Sequence, residues 1–306
     1  MDSHFEYRDC PGCGRNDFEV VFESNLGDSD FGGGVETIYM LWGERRGRHV
    51  RCRNCGLIYV NPIENRSSIS EAYSQMRTVD AAIIRESRLR ATKSQAELVR
   101  KHKDGTYLLD IGCGEGFFLF SASKLGYTTK GVELSEDAAA YARKEFGLDV
   151  ETGAFEELRF PENHFDVVTL WQVLEHMLYP LMVLKEVHRI LKPGGMLVIT
   201  TPDIAGRPAR ILRRRWWCIT RLHINQFTTK TLTNIVGSAG FKDISAVSYK
   251  ESVSLLMLFI PLLKYLRLYR RSRDSFSLDS RLGRIINRIV LTYPSTLDYS
   301  TVIGFK

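Results

Sequence analysis

Six cysteines stand in the chain, and four of them form two C-x-x-C pairs, Cys10-Pro-Gly-Cys13-Gly and Cys52-Arg-Asn-Cys55-Gly. Each pair reads as a tight turn with a glycine just past the second thiol, the shape of a zinc knuckle. Two knuckles supply four thiolates, the donor set of a closed tetrahedral site with no position left for a water. Structural zinc is therefore expected on Cys10, Cys13, Cys52 and Cys55, with an iron–sulfur cluster or a redox role as the alternatives. The other two thiols, Cys113 and Cys218, have no obvious partner, so the cysteines do not read as a disulfide framework.

A second concentration of chemistry lies in LLDIGCGEG, Leu108 to Gly116. Gly112, Gly114 and Gly116 follow an apolar run and open a helical one, where small residues let the backbone come close to a ligand. The spacing alone also suits a glycine turn in some other α/β domain. A dinucleotide loop would hold pyrophosphate on the helix N-terminus, yet Asp110 precedes this loop and Glu115 lies within it. Those anions would repel phosphate. S-adenosylmethionine has no phosphate and carries a sulfonium and an ammonium group, so an acidic loop suits it. Glu133, in GVELS, stands roughly 20 residues further on, where an acid that accepts from ribose hydroxyls is expected.

The elements that must position these residues follow from the pattern. From Thr106 strand and helix alternate, which predicts a parallel sheet covered by helices. TYLLDIG, TTKGVELS, DVETGAF, FDVVTLWQ and GMLVITTPD read as strands one to five, KDISAVSYK as a sixth and DYSTVIGFK as the last. Ser135 is placed to cap the helix SEDAAAYARKEFG and Gly147 to stop it; Pro193 and the glycines after it should stop LMVLKEVHRILKPGG. The expected fold is a Rossmann-like α/β domain with a seven-stranded, mostly parallel sheet and an antiparallel last strand. The expected layout is a zinc-binding module at 1–61, a helical lead-in at 62–105 and the core at 106–250 and 295–306. A helical insertion would occupy 251–294.

The series LLDIGCGEG, GVELS, FDVVTLWQVLEH and LKPGGMLVITTPD, in order between about Thr106 and Phe241, resembles the motif series of class I S-adenosylmethionine-dependent methyltransferases. The resemblance implies cofactor contacts at Asp110, Gly112, Cys113, Gly114, Gly116 and Glu133, with Ala154, Phe155, Trp171 and Gln172 flanking the adenine or the methionine. ETGAFEEL departs from the pattern by lacking the acid often found after the third strand, so adenine recognition would rest on backbone groups and Phe155. In the ubiquinone-biosynthesis O-methyltransferases a similar segment has glutamate where this chain has Gln172, and there the acids and histidine can hold a divalent metal; glutamine weakens that carry-over.

Methyl transfer depends mostly on alignment and needs a base only when the acceptor must lose a proton. His176 lies just beyond the fourth strand, at the edge where open α/β sheets bind ligands. It is the candidate general base, with Glu175 to orient it; the alternative is a histidine that caps or packs the next helix. The segments CPGCG, CRNCGLIYVNP and ARILRRRWWCITRLHINQFTTKTLTNIVGSAGF resemble those of methyltransferases in polysaccharide, sugar and lipid biosynthesis, in which this loop folds over the acceptor. That resemblance makes His223 and Phe227 acceptor-side candidates and lets Arg213, Arg214 and Arg215 meet a phosphate or diphosphate. A solvated basic loop with Trp216 and Trp217 covering the core is the alternative.

Composition sets the outer bounds. The net charge of +6 is concentrated in arginine clusters at 207–221 and 264–288, which points to local basic surfaces. Val253 to Leu263 is apolar but too short to span a bilayer, and with the basic run after it resembles a membrane-surface element; a helical hairpin packed on protein is the alternative. The N-terminus lacks a signal-peptide pattern, so a cytoplasmic protein, peripheral at the inner face of the membrane, is expected. The expected acceptor is a small molecule, a hydroxyl of a sugar, glycolipid or polyprenyl-linked intermediate. Sugar C-methylation, an RNA methyltransferase gripping RNA with its knuckles and arginines, and a non-catalytic binding protein are the alternatives. Nucleic acid fits less well, because TLWQVLEH is not the Asn-Pro-Pro-aromatic motif used on base amino groups.

Overall fold

The second knuckle is a turn of a small antiparallel sheet, and the first leads into that sheet. The first follows β1 (Phe5–Glu6) and leads into β2 (Phe18–Phe22). The second is the turn between β3 (His49–Cys52) and β4 (Ile58–Val60), and β5 (Ile63–Glu64) returns to pair with β1. The computed structural model describes residues 5–25, 46–64, 81–255, 286 and 289–306, without the side chains of 81–84. The glycine-rich segment joining the knuckles therefore lies outside the described residues, as do the start of the helical lead-in and most of the insertion.

The lead-in is α1 (Ala81–His102). Beyond it the chain alternates as its pattern predicts: β6 (Tyr107–Ile111), α2 (Phe117–Ser123), β7 (Thr128–Glu133), α3 (Glu136–Phe146) and β8 (Asp149–Thr152). Then come β9 (Phe165–Trp171), α4 (Pro180–Ile190), β10 (Leu191–Pro202) and α5 (Arg207–Leu212). After β11 (Asn225–Gln226) follow α6 (Thr229–Ser238), β12 (Lys242–Val247), β13 (Lys250–Ser254), β14 (Val290–Pro294) and β15 (Tyr299–Phe305). The predicted caps form: Ser135 accepts from the Ala138 amide, and Gly147 ends α3 in the left-handed region. Helix α4 stops at Ile190, before Pro193. The sequence Pro193-Gly194-Gly195 lies instead in an irregularity of β10, where its pairing with β9 shifts between Leu191 and Met196, because the residue before a proline is driven out of helical geometry.

The seven-stranded sheet has the order β12-β15-β10-β9-β6-β7-β8. Strands β10, β9, β6, β7 and β8 run parallel, and β15 is antiparallel to both of its neighbours. The order reverses at β6, which opens the crevice where such sheets take ligands, beyond the carboxyl ends of the strands. Each face buries a layer. Phe118, Leu119, Ala139 and Ala142 from α2 and α3 pack on one side. Val183, Leu184 and Val187 from α4 and Leu232, Ile235 and Val236 from α6 pack in the other.

Two features differ from expectation. The ends of the insertion are strands and not helix: β13 and β14 pair from Lys250↔Pro294 to Ser254↔Val290. This ribbon reaches the lead-in, since the Lys250 amide donates to Ser94 Oγ. The knuckle module also does not end at residue 61. Its β4 pairs with β11, so the small sheet has the order β11-β4-β3-β2, and Cys10, Cys52, Leu57 and Tyr59 share a core layer with α4 and α6. Among the described residues no helix is long and apolar enough to cross a membrane.

Candidate active site

Two glycines make the cofactor loop feasible. Gly112 has φ of +69°, and a Cβ there would stand 2.5 Å from Val173 Cγ2. Gly116, at φ of +78°, begins α2, and a Cβ would meet Leu148 at 2.7 Å and Ala142 at 2.8 Å; its absence lets the loop pack on α3. At Gly114 the space a side chain would fill is open, the room a bound ligand needs.

Glu133 sits at the end of β7 with its carboxylate accepting from the Gly114 amide at 2.8 Å and the Ser135 amide at 2.8 Å. Burial raises its pKa, the two amides oppose the rise, and the charge of Glu115 adds to it. Asp110, buried in β6, accepts from Thr169 Oγ1 at 2.6 Å. Desolvation pushes it up to about 8, against the Thr169 hydrogen bond. A cationic, phosphate-free ligand suits this buried acidic surface. Glu133→Ala should weaken S-adenosylmethionine binding about 100-fold, on the order of 1.5–3 kcal/mol for each charge-assisted bond to the ribose. Calorimetric titration checks it, and equal affinities would remove the ribose assignment.

The remaining cofactor candidates divide. Trp171, the last residue of β9, is half-buried against Phe118 and Tyr249, and its buried Nε1 makes no hydrogen bond. Gln172 is exposed at φ of +58°, its amide donating to the Thr200 carbonyl at 2.7 Å; such geometry in a non-glycine residue marks a constrained site. Ala154 caps a short turn beside the crevice. The Phe155 ring faces inward, stacked on Phe160 in the core, and the Cys113 side chain packs in the core layer of α2 and α3. Those two positions therefore offer a ligand chiefly their backbone.

Beyond β9 a short turn, Leu174–His176, carries the titratable centre. Ligand atoms of Glu175, His176 and His223 all lie within 4.8 Å of one another, and the two imidazole rings are 4.7 Å apart, edge to face. Nδ1 of His176 lies 2.9 Å from the Leu222 carbonyl and Nδ1 of His223 lies 2.9 Å from the Cys218 carbonyl. A carbonyl only accepts, so each ring is protonated at Nδ1 and has its lone pair on Nε2. Glu175 is 2 % exposed, and neither of its carboxylate oxygens has a hydrogen-bond partner. Burial lifts Glu175 to about 8 and lowers His176 to about 4. The expected Glu175–His176 hydrogen bond is thus absent, and the Leu222 carbonyl orients the ring instead.

Phe227 does not face an acceptor: it is fully buried in the core layer of α6, because the residue just before the Thr228 cap is drawn under the helix. Arg213, Arg214 and Arg215 form an exposed turn, and Trp216 behind them is completely buried. A cavity of about 560 Å³ between the second knuckle and α6, bordered by Asn54, Cys55, Thr231 and Asn234, lies away from the glycine loop. Arg8 and Asn225, whose side chains donate to the Leu178, Ile224 and Met177 carbonyls beside this centre, carry no motif in the sequence.

At the knuckles Cys10 Sγ is 3.5 Å from Cys55 Sγ, and Cys13 Sγ is 3.6 Å from Cys52 Sγ. All four sulfurs lie within 4.8 Å of one another. Thiolates around tetrahedral zinc stand roughly 3.8 Å apart, from a Zn–S length of about 2.3 Å, so the four residues fit such an ion.

The strand order, the glycine loop and Glu133 together define a class I, Rossmann-like S-adenosylmethionine-dependent methyltransferase domain. Residues 83–246 match the family model described as a methyltransferase domain, and the chain belongs to that family. It is 29% identical over 140 residues to a probable S-adenosylmethionine-dependent methyltransferase of Mycolicibacterium smegmatis, covering 45% of this chain and 52% of that protein. It is 33% identical over 113 residues to the ubiquinone biosynthesis O-methyltransferase of Nitrosococcus oceani, covering 34% and 48%. The chain thus spans about half the length of these curated relatives. A solved SAM-dependent methyltransferase of Thermotoga maritima shares the fold, with a TM-score of 0.50 at 20% identity over 74% of this chain and 92% of that one.

Proposed function

We propose that the protein transfers a methyl group from S-adenosylmethionine to a hydroxyl of a small-molecule acceptor, a sugar, glycolipid or polyprenyl-linked intermediate. The observation that carries this reading is the unpartnered Glu175 carboxylate beside two imidazoles at the carboxyl edge of the sheet. Bound at the glycine loop, S-adenosylmethionine supplies an electrophilic methyl group. Glu133 would accept from its ribose hydroxyls, and the backbone of Gly112 to Gly116 would hold it. An acceptor hydroxyl donates to His176 Nε2, which takes its proton as the oxygen is methylated, while Glu175 accepts from a neighbouring hydroxyl and orients the acceptor. Desolvation lowers the proton affinity of the half-buried His176 imidazole, which keeps it neutral and able to accept. The exposed arginines 213–215 suit a phosphate on the acceptor.

A second reading of the same centre has Glu175, His176 and His223 hold a divalent cation, favoured by the carboxylate oxygens that lack any partner. Such an ion would make the acceptor hydroxyl more acidic. Four thiolates in the knuckles suit structural zinc.

Incubation with methyl-labelled cofactor and separate pools of nucleotide sugars, lipid-linked sugars and RNA tests the acceptor class. Label in a sugar-bearing pool is expected, and label in RNA alone would overturn the reading. Added chelator that slows transfer while zinc stays bound would favour the cation over His176 as base.

A further inference from the structure

Two segments far apart in the chain bring the imidazoles together, and the side chain that joins them comes from the cysteine module. Arg8, two residues before Cys10, points its guanidinium inward over the Tyr59 ring at 5.5 Å. Its Nε donates to the Val60 carbonyl at 3.3 Å, Nη1 to the Leu178 carbonyl at 2.8 Å, and Nη2 to the Ile224 carbonyl at 3.3 Å and Asn225 Oδ1 at 3.4 Å. Leu178 lies two residues past His176, and Ile224 is next to His223. The main chain of Arg8 is itself held by Asn61: its amide donates to Asn61 Oδ1 at 3.1 Å, and Asn61 Nδ2 donates to its carbonyl at 3.2 Å.

Asn225 completes the link. Its Nδ2 donates to the Met177 carbonyl at 2.7 Å and to the Glu175 carbonyl at 3.5 Å. The pairing of β4 with β11 and the ion pair of Arg221 with Glu64 tie the same loop to the module. A rigid, planar fork of donors meets three backbone carbonyls on three segments at once, which a lysine cannot do. Desolvation lowers the Arg8 pKa to about 10, so placing this cation here has a cost that surface packing would not incur.

We infer that Arg8 is a positioning residue for methyl transfer, and that the cysteine module serves to build the Glu175–His176–His223 centre. It holds the turn after β9 and the loop after α5 at the separation that sets the two Nε2 atoms and the Glu175 carboxylate. The inference rests on the proposed role of that centre.

The test uses the full chain with zinc bound, comparing Arg8→Met and Arg8→Lys with wild type. Metal content and S-adenosylmethionine affinity should stay within about twofold, while turnover at saturating cofactor falls about 100-fold for Arg8→Met, the scale of an ångström-sized misplacement. In a His176→Ala background the Arg8 substitution should cost little more, because Arg8 acts through that ring. Nitrogen-15 spectra of the histidines should show single Nδ1-protonated forms for His176 and His223 in wild type and mixed forms in Arg8→Met. An unchanged spectrum and unchanged turnover overturn the inference. Should Arg8→Met fail to fold, Arg8→Lys decides by the same criteria. If wild type transfers no methyl group to any acceptor, the spectra still separate the outcomes: a change upholds the clamp, and no change removes it.

Discussion

A Cys52→Ser chain is expected to lose the zinc proposed for the four thiolates and, with it, cooperative folding of both the module and the core. Cys10 and Cys52 are 2 % and 1 % exposed and pack in one layer with residues of α4 and α6. Binding of structural zinc by four ligands contributes on the order of 10–16 kcal/mol in small metallo-peptides, as large as the whole stability of a typical domain, about 5–15 kcal/mol. Losing one ligand leaves three thiolates and a coordination position open to water, and the turn between β3 and β4 loses its anchor. The strand β11 then lacks its neighbour, so the loop carrying His223 is released too. Metal analysis alongside thermal unfolding by circular dichroism checks this. A metal-free variant that melts with the wild type would show that the thiolates do not support the fold.

Replacing His176 by alanine should lower turnover at saturating cofactor by about 100-fold or more, the usual contribution of a positioned acid or base being about 10²–10⁴-fold. S-adenosylmethionine affinity should hardly change, because Glu133 and the glycine loop, and not His176, are the residues proposed to hold the cofactor. Glu175→Gln keeps the shape of the side chain but halves its accepting capacity, and should also lower turnover without loss of cofactor binding. Single-turnover measurements with each variant separate the chemical step from binding. Equal rates for His176→Ala and wild type would assign the histidine to packing alone. A loss in His223→Ala as deep as in His176→Ala would favour the shared cation, since a base needs only one of the two rings.

The arrangement of the glycine loop and Glu133 was legible because its signals are local. Gly112, Gly114 and Gly116 stand together, Glu133 follows 19 residues after the loop glycine it accepts from, and the caps Ser135 and Gly147 mark α3 where the period predicts it. The acceptor half was legible only in part. His176 was found from its place after a strand and His223 from a resemblance, but their meeting depends on how the loop after α5 folds back. Phe227 looked equally eligible and is core, since the first turn of α6 sets which way a residue points. The strands at both ends of the insertion were missed, because a polar run such as Lys250–Ser254 has no apolar alternation of its own and pairs only when Val290–Pro294 comes alongside.

The order of the elements, the turns that stop helices and the pairing of the thiols into knuckles were decided by residues within a few positions of one another, where backbone sterics and hydrophobic period act directly. The separation of Glu175, His176 and His223 and the insertion of Arg8 between their segments were decided by the tertiary structure alone. These contacts join residues up to 217 positions apart, and no local propensity encodes which carbonyls a buried guanidinium will find.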